Sequence, residues 1–210
     1  MFTHLKICGI TRLQDALQAA DLGVSFLGFN FFKESKRYIS PEKAAGIINR
    51  LPPTTHTVGI LVKPTLEICQ KIVNRTGVDF LQIYDPLDFD DFGLLPVPAI
   101  QALRIKDAKN VNFREANARY VLVDAFDEQE YGGTGRQWNW QKLSSEIPRE
   151  KLILAGGIKP DNILEALNAV NPAVIDVASG AEKIPGKKDL RKMKALQKAV
   201  LIFNLLKMNR

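Results

Sequence analysis

The sequence has few cysteines and histidines and lacks any long hydrophobic run. Among its 210 residues these two types are limited to Cys8, Cys69, His4 and His56. Two cysteines make no disulfide framework, and the N-terminus shows no signal-peptide pattern, so we expect a protein of the reducing cytoplasm. No apolar stretch approaches the roughly 18 residues that a membrane span requires, so we expect no membrane partner.

Acidic residues are fewer than basic residues. Lysine and arginine number 29 against 23 aspartates and glutamates, which gives a formal net charge of +6. Much of the excess lies in the last segment, at Lys183, Lys187, Lys188, Arg191, Lys192, Lys194 and Lys198. Such a run is typical of a solvated helix face, and few aromatic residues are interleaved with it, so we expect no nucleic-acid partner. The balance suits an anionic small molecule.

Eight short, apolar, β-rich runs alternate with segments of helical periodicity. The predicted strands are Leu5–Cys8, Phe26–Phe31, Thr57–Val62, Phe80–Tyr84, Ala99–Ile105, Tyr120–Asp124, Leu152–Ala155 and Val174–Val177. Apolar residues at helical spacing predict helices between them. Thr11 is predicted to cap the first helix, and Pro41 and Pro160 to occupy first helical positions. Three prolines predict a short or broken fourth helix: Pro86, Pro96 and Pro98.

Eight consecutive strand–helix units predict a parallel sheet, because parallel neighbours need a crossover connection. Eight is also the number of strands that closes a barrel, whereas an open doubly wound sheet usually has about five or six. No linker interrupts the series. The sequence therefore predicts an α/β fold, a single (β/α)8 TIM barrel with eight parallel strands, as one domain over residues 1–210.

Glycine motifs follow the last two predicted strands. The active site of such a barrel lies at the carboxyl ends of its strands, and phosphate usually binds after strands 7 and 8. Gly156-Gly157 and Ser179-Gly180 occupy those places. Glycine there lets backbone N–H groups approach phosphate oxygens. Each motif alone could serve only a tight turn, but the two together predict a phosphate site.

Two residues able to exchange protons also fall at strand ends. Cys8 ends strand 1, where a nearby helix start would stabilise a thiolate and lower its pKa from about 8.5. The alternative is a small buried hydrophobic residue. Asp124 ends strand 6 and could instead cap a turn. Position alone leaves acid–base chemistry and a structural role both open.

The histidines offer no metal site. His4 and His56 precede or begin their strands, so we expect them at the opposite end of the barrel. Without them there is no His/carboxylate cluster, and we predict no metal. This disfavours the metal-dependent pentulose-phosphate epimerases, which share the fold. Cys69 lies at helical spacing with Leu66 and Val73 and is predicted to be core.

Several segments, in order along nearly the whole chain, resemble the motifs of one family. They are Lys6-Ile7-Cys8-Gly9-Ile10-Thr11, Gly28-Phe29-Asn30-Phe31-Phe32, Ser35-Lys36-Arg37-Tyr38-Ile39-Ser40-Pro41, Asp124 with Gly132-Gly133-Thr134-Gly135 and Trp138-Asn139-Trp140, Leu154-Ala155-Gly156-Gly157-Ile158 with Pro160-Asp161-Asn162, and Ile175-Asp176-Val177-Ala178-Ser179-Gly180-Ala181-Glu182. In combination they resemble the phosphoribosylanthranilate isomerases of tryptophan biosynthesis.

The resemblance implies an Amadori rearrangement of N-(5-phosphoribosyl)anthranilate to the corresponding deoxyribulose phosphate, without a cofactor. It makes Asp124 the general acid that protonates the furanose ring oxygen. Cys8 becomes the general base that deprotonates the second sugar carbon. Arg37 would hold the anthranilate carboxylate, and Gly133 lies in a loop that would close over the substrate. The other implied substrate-binding residues are Tyr84, Asp176, Gly156, Gly157, Ser179 and Gly180.

Two strand ends depart from the family pattern. After strand 4 the family usually reads Leu-Gln-Leu-His-Gly, where this chain has Tyr84-Asp85 in the last two places, and Lys63 stands where asparagine is common. Two alternatives stay open: a degenerate barrel that binds a phosphosugar without turnover, and another phosphosugar isomerase. A ribonucleotide isomerase of histidine biosynthesis, for example, usually has an aspartate in place of Cys8. We expect a monomer or a homodimer.

Overall fold

The computed structural model describes residues 2–88, 90–105, 117–125 and 147–209. Eight parallel strands close into a barrel in chain order, and the last strand pairs with the first. They are β1 (His4–Cys8), β2 (Phe26–Asn30), β3 (His56–Val62), β4 (Phe80–Tyr84), β5 (Ala99–Ile105), β6 (Tyr120–Ala125), β7 (Leu152–Leu154) and β8 (Val174–Val177). The predicted TIM barrel is confirmed, and every predicted strand end lies within one residue of the observed one.

Each strand is buried on both faces, which explains its nearly continuous apolar sequence. Leu5 and Ile7 of β1 pack outward, in the layer between the strands and the helices. Leu122 of β6 packs in the barrel interior. Because successive side chains of a strand point to opposite faces, Lys6 and Cys8 point into the barrel.

The described helices surround the strands. They are α1 (Leu13–Asp21), α2 (Pro41–Ile48), α3 (Leu66–Thr76), α4 (Ile163–Val170) and α5 (Leu190–Met208). Among the described residues between β4 and β5, a 3-10 turn, Phe92–Leu94, lies where the prolines predicted a short or broken helix.

One predicted helix start is confirmed and two are wrong. Pro41 begins α2 as predicted. Thr11 does not cap α1, because its hydroxyl donates to the carbonyl oxygen of Gly186 instead. Pro160 does not begin α4, because the Asn162 side chain holds this segment as a turn. Its amide nitrogen donates to the Gly157 carbonyl oxygen, and its amide oxygen accepts from the Lys159 N–H.

A short antiparallel hairpin, beyond the predicted elements, follows β8. Its strands are β9 (Glu182–Ile184) and β10 (Lys187–Lys188). The N–H of Lys188 donates to Asp15 of α1 over 2.9 Å, and its ammonium donates to the carbonyl oxygen of Cys8. The hairpin is therefore anchored beside the end of β1. The turn of the hairpin contains Pro185-Gly186, a local signal from which the hairpin could have been predicted.

Aromatic rings close the amino-terminal end of the barrel. The Phe26 ring centroid lies 5.2 Å from that of His56, 5.8 Å from that of Phe80 and 6.3 Å from that of Tyr120. The ring centroid of His4 lies 6.3 Å from that of Phe26. Both histidines thus lie at the end opposite the strand carboxyl ends, as predicted.

Two residues that directly follow strands have left-handed backbone conformations. Lys63 has φ 47° after β3, and Asp85 has φ 45° after β4. Glycine, asparagine and aspartate tolerate this region, whereas lysine is strained there. These are the positions at which the chain departs from the family pattern of asparagine and glycine, and the departure to lysine at position 63 carries a backbone cost.

Replacing Lys63 with asparagine is expected to raise the free energy of unfolding by about 0.5–1 kcal/mol, because asparagine tolerates the left-handed region. Urea unfolding of the two proteins measures the change. Lys33→Asn is a matched control, since Lys33 is exposed and is absent from the residues of positive φ. A Lys63→Asn variant no more stable than the parent would show that the lysine side chain compensates for the strain.

Candidate active site

The carboxyl ends of four strands bring together most of the side chains predicted to carry the chemistry. Cys8 ends β1, Tyr84 ends β4, Asp124 is the next-to-last residue of β6, and Asp176 lies in β8. Burial, followed by the nearby Asp124, Cys8 and Asp176, raises the pKa of Tyr84 well above its ordinary value. The Tyr84 phenol is therefore neutral at pH 7, and it lies within electrostatic reach of the other three groups.

The residues predicted to bind phosphate lie together beside Asp124. A cavity of about 20 Å³ is lined by Asp124, Asp176, Gly156, Gly157 and Ser179. It adjoins a cleft of about 420 Å³ whose lining includes Gly157, Ser179, Gly180, Lys159 and Lys192. Lys192 was expected on a solvated helix face. It is exposed, as expected, and it also lines this cleft, where its ammonium donates to the Glu182 carbonyl oxygen over 2.7 Å. Lys188 of the same run was expected on that solvated face too, but it is buried.

Glycine is required by geometry in both loops that are predicted to bind phosphate. Gly156 and Gly157 have φ values of 94° and 68°, which other residues adopt only with strain. A Cβ atom on Gly180 would overlap the carbonyl oxygen of Ile158. The loops after β7 and β8 therefore approach each other closely only because residue 180 has no side chain.

The Cys8 thiol is a weaker acid than its place at a strand end suggested. Burial raises its pKa most; Lys6 lowers it, Asp176 raises it, and Lys188 and Arg37 lower it. Burial and Asp176 together outweigh the three cations, so the expected lowering of the pKa is wrong. A raised pKa leaves less thiolate at neutral pH but makes that thiolate a stronger base.

Arg37 is held by a buried carboxylate that the sequence reasoning missed. Its Nε and one terminal nitrogen each donate to Glu182 over 2.9 Å. Lys188 donates to the same carboxylate over 2.8 Å, and the Gly186 N–H over 3.1 Å. Gly9, at φ 80°, allows this approach, because a Cβ atom there would lie 2.5 Å from the Cδ of Arg37.

This arrangement changes what Arg37 offers a ligand. The two-pronged contact with a carboxylate that was expected for the substrate is made with Glu182, so the protein itself fixes the guanidinium. Binding of a substrate carboxylate by Arg37 stays a prediction. The place of Glu182 at the end of the last family motif could have indicated a role in the site. Its pairing with Arg37 could not be read from the sequence, because the two residues are 145 positions apart along the chain.

Replacing Glu182 with glutamine is expected to lower the free energy of unfolding by about 3–5 kcal/mol, because Arg37 and Lys188 would keep buried, uncompensated charges. Burial raises the pKa of Glu182, but Arg37 and Lys188 outweigh it and hold the pKa below its ordinary value. The stabilisation is thus present at neutral pH and is lost as the pH falls through the folded-state pKa. Urea unfolding at neutral and acid pH measures both effects.

The control is Glu67→Gln, which breaks an ion pair with Lys71 in which both side chains are largely exposed. Exposed pairs contribute little, so no measurable loss is expected there. Equal losses in the two variants would contradict the assignment of a special role to Glu182.

The chain matches one protein family over most of its length. Residues 5–199 match the family described as N-(5'phosphoribosyl)anthranilate (PRA) isomerase. The chain belongs to this isomerase family. It is 39% identical over 194 residues to the N-(5'-phosphoribosyl)anthranilate isomerase of Geobacter sulfurreducens, an alignment that covers 91% of this chain and 95% of that protein.

Solved structures of such isomerases have the same fold. The phosphoribosyl anthranilate isomerase of Thermus thermophilus matches with a TM-score of 0.83 at 30% identity, over 95% of this chain and 98% of that one. Another, solved in complex with reduced 1-(o-carboxyphenylamino)-1-deoxyribulose 5-phosphate, matches with a TM-score of 0.76 at 30% identity, over 96% and 99%. The expected family and its isomerase activity in tryptophan biosynthesis are confirmed.

One further cation lies at the rim of this isomerase. Arg104 pairs in register with Asp124. It lies two residues beyond Ala102, which packs in the barrel interior, so it points inward. Its guanidinium donates to Asp85 over 3.0 Å. The signal for Arg104 was strand parity at the end of β5.

Gly133 and the rest of the Gly132–Gly135 loop lie outside the described residues, so the closing loop stays a prediction.

Within residues 2–88, 90–105, 117–125 and 147–209, no three His, Cys, Asp or Glu side chains are placed to hold a metal ion. In the same part of the chain, no helix combines the length and the apolar character needed to span a membrane.

Proposed function

We propose that this isomerase converts N-(5'-phosphoribosyl)anthranilate to 1-(2-carboxyphenylamino)-1-deoxyribulose 5-phosphate with Asp124 as general acid and Cys8 as general base. The observation that carries the proposal is the placement of a carboxylate and a thiol, on β6 and β1, at one barrel mouth beside two glycine loops. Such a pair can give and take protons on opposite sides of a bound sugar.

Asp124 acts in ring opening. The nitrogen lone pair forms a double bond to the first sugar carbon, the bond from that carbon to the ring oxygen breaks, and Asp124 gives its proton to that oxygen. The product is a protonated Schiff base, and Asp124 is left as a carboxylate. Its place in the wall of the cavity that contains Gly156 and Ser179 supports this role, because the ring lies next to the phosphate-bearing carbon.

Cys8 acts in the second step. The positive Schiff base acidifies the second sugar carbon, and the thiolate takes its proton. The C–H electron pair forms a carbon–carbon double bond while the C=N pair returns to nitrogen. The resulting enolamine gains a proton at the first carbon and loses its hydroxyl proton to become the ketone. Nothing is oxidised or reduced overall, so the step requires no cofactor.

Gly156, Gly157, Ser179 and Gly180 are proposed to hold the phosphate, with the charge of Lys192 nearby. The ligand of the related structure carries a phosphate at one end and a carboxylate at the other. For this chain, Arg37 is the proposed carboxylate partner, Asp176 lines the cavity, and Tyr84 forms a neutral part of the wall.

The test follows the loss of anthranilate-derived fluorescence after freshly made phosphoribosylanthranilate is added, with and without the protein. Catalysed loss of fluorescence supports the proposal. Binding of the reduced product analogue without turnover would instead identify a degenerate binding barrel. Turnover limited to the ribonucleotide substrate of histidine biosynthesis would favour the other isomerase, which usually has aspartate in place of Cys8.

A further inference from the structure

One of the largest side chains without exposed surface among the described residues is a cation, Lys6 of β1. An ammonium group so deeply buried is costly unless it is paired. Its partner is Asp176, the residue that pairs with it in register across β1 and β8. The distance from the Lys6 Nζ to the Asp176 Oδ1 is 2.9 Å.

This pair lies directly beneath the proposed base. Lys6 and Cys8 share the inner face of β1, and Lys6 interacts by charge with the Cys8 sulfur as well as with Asp176. Burial tends to lower the pKa of Lys6, but Asp176 and Cys8 outweigh it and raise it. Lys6 therefore remains an ammonium, and because it has no exposed surface it cannot contact a substrate.

Other charged and titratable groups face Cys8 from the surrounding elements. β10 contributes Lys188, the segment before α2 contributes Arg37, and β4 contributes Tyr84. β6 contributes Asp124 at the same mouth, and Glu182 of β9 lies between Arg37 and Lys188. β2 presents Gly28, whose added Cβ atom would lie 3.3 Å from the Cys8 sulfur. The side chain of Lys6, like that of Lys188, has no exposed surface. Lys6 differs from Lys188 in lying on the same strand as Cys8.

We propose that Lys6 is a positioning residue of the isomerisation, which with Asp176 sets the charge state of the Cys8 sulfur from below without touching the substrate. The proposal rests on the role of Cys8 as base. In the step that it supports, the proton moves from carbon to sulfur, and Lys6 neither gains nor loses a proton. The pair supplies opposite charges, so its two members act on the sulfur in opposite directions.

Two substitutions test these directions. Lys6→Met leaves the Asp176 carboxylate beside the sulfur and should raise the pKa of Cys8 by about one unit or more, whereas Asp176→Asn leaves the ammonium and should lower it by a similar amount. The double variant should return close to the parent value. The readout is the pH dependence of alkylation of Cys8 by iodoacetamide, which needs no substrate. Cys69 contributes no signal, because it is buried and its pKa is raised to about 12.

Lys71→Met, in the exposed pair with Glu67, is the control and should leave the Cys8 titration unchanged. Shifts of opposite sign support the proposal. Unchanged titrations, or shifts of the same sign in both variants, would overturn it. If Lys6→Met does not fold, Asp176→Asn decides, since a downward shift supports Lys6 and any other result refutes it. Failure of the base role itself is separately visible in the turnover of Cys8→Ser.

Discussion

Cys8→Ser is expected to lower kcat/KM by about 10³-fold, the usual contribution of a general base. The hydroxyl fits the space of the thiol, but its pKa is several units higher, so almost no alkoxide is present near neutral pH. The loss corresponds to about 4 kcal/mol of transition-state stabilisation. Steady-state fluorescence assays on the folded variant measure it.

The second cysteine provides the matched control. Cys69 lies in α3, away from the barrel mouth, and is fully buried. Cys69→Ser makes the same atomic change, so it should cost some stability and leave kcat/KM close to that of the parent. A folded Cys8→Ser protein with activity within tenfold of the parent would remove this thiol from the mechanism.

Asp124→Asn should be similarly inactive, with kcat/KM lower by about 10³-fold. The amide keeps the shape of the side chain but has no acidic proton for the ring oxygen. The loss should fall on kcat as well as on kcat/KM, because the missing interaction exists only in the transition state. Asp21→Asn, at the exposed end of α1, makes the same chemical change and should have no effect. Substantial turnover by Asp124→Asn would require a different general acid.

The strands and the main site residues could be predicted because barrel geometry makes them local properties. Each strand is buried on both faces, so its apolar run is visible without knowledge of its neighbours. Once the strands were counted, Cys8, Asp124 and the two glycine motifs were placed at the mouth by their positions at strand ends. No long-range contact had to be known.

The charge pairs could not be predicted in this way. Lys6 and Asp176 are 170 residues apart along the chain, and their contact depends on the pairing of β1 with β8. Glu182 meets Arg37 only through a hairpin of two short strands, whose register no local pattern specifies. The raised pKa of Cys8 has the same origin, because burial is a property of the assembled barrel and not of the strand end.

The predictions of two helix starts were wrong for a related reason. Thr11 and Pro160 carry the right local chemistry, yet each segment has a stronger competing partner in the assembled chain. Thr11 donates to the turn of the hairpin, and the side chain of Asn162 closes the turn that contains Pro160. A capping residue predicts a helix start only where no tertiary acceptor competes for it.

The carboxylate of Glu182 accepts hydrogen bonds from Arg37, from Lys188 and from the hairpin backbone at once. Because they share this acceptor, the effects of substitutions at residues 37, 182 and 188 will depend on one another. The effect of changing Lys188 will depend on whether Arg37 is present, because either cation alone still leaves the carboxylate partly compensated. Single substitutions at this rim are therefore poor guides to double ones. Natural variation here should proceed by coupled replacements, with loss of the Glu182 carboxylate accompanied by loss of the Arg37 or Lys188 charge.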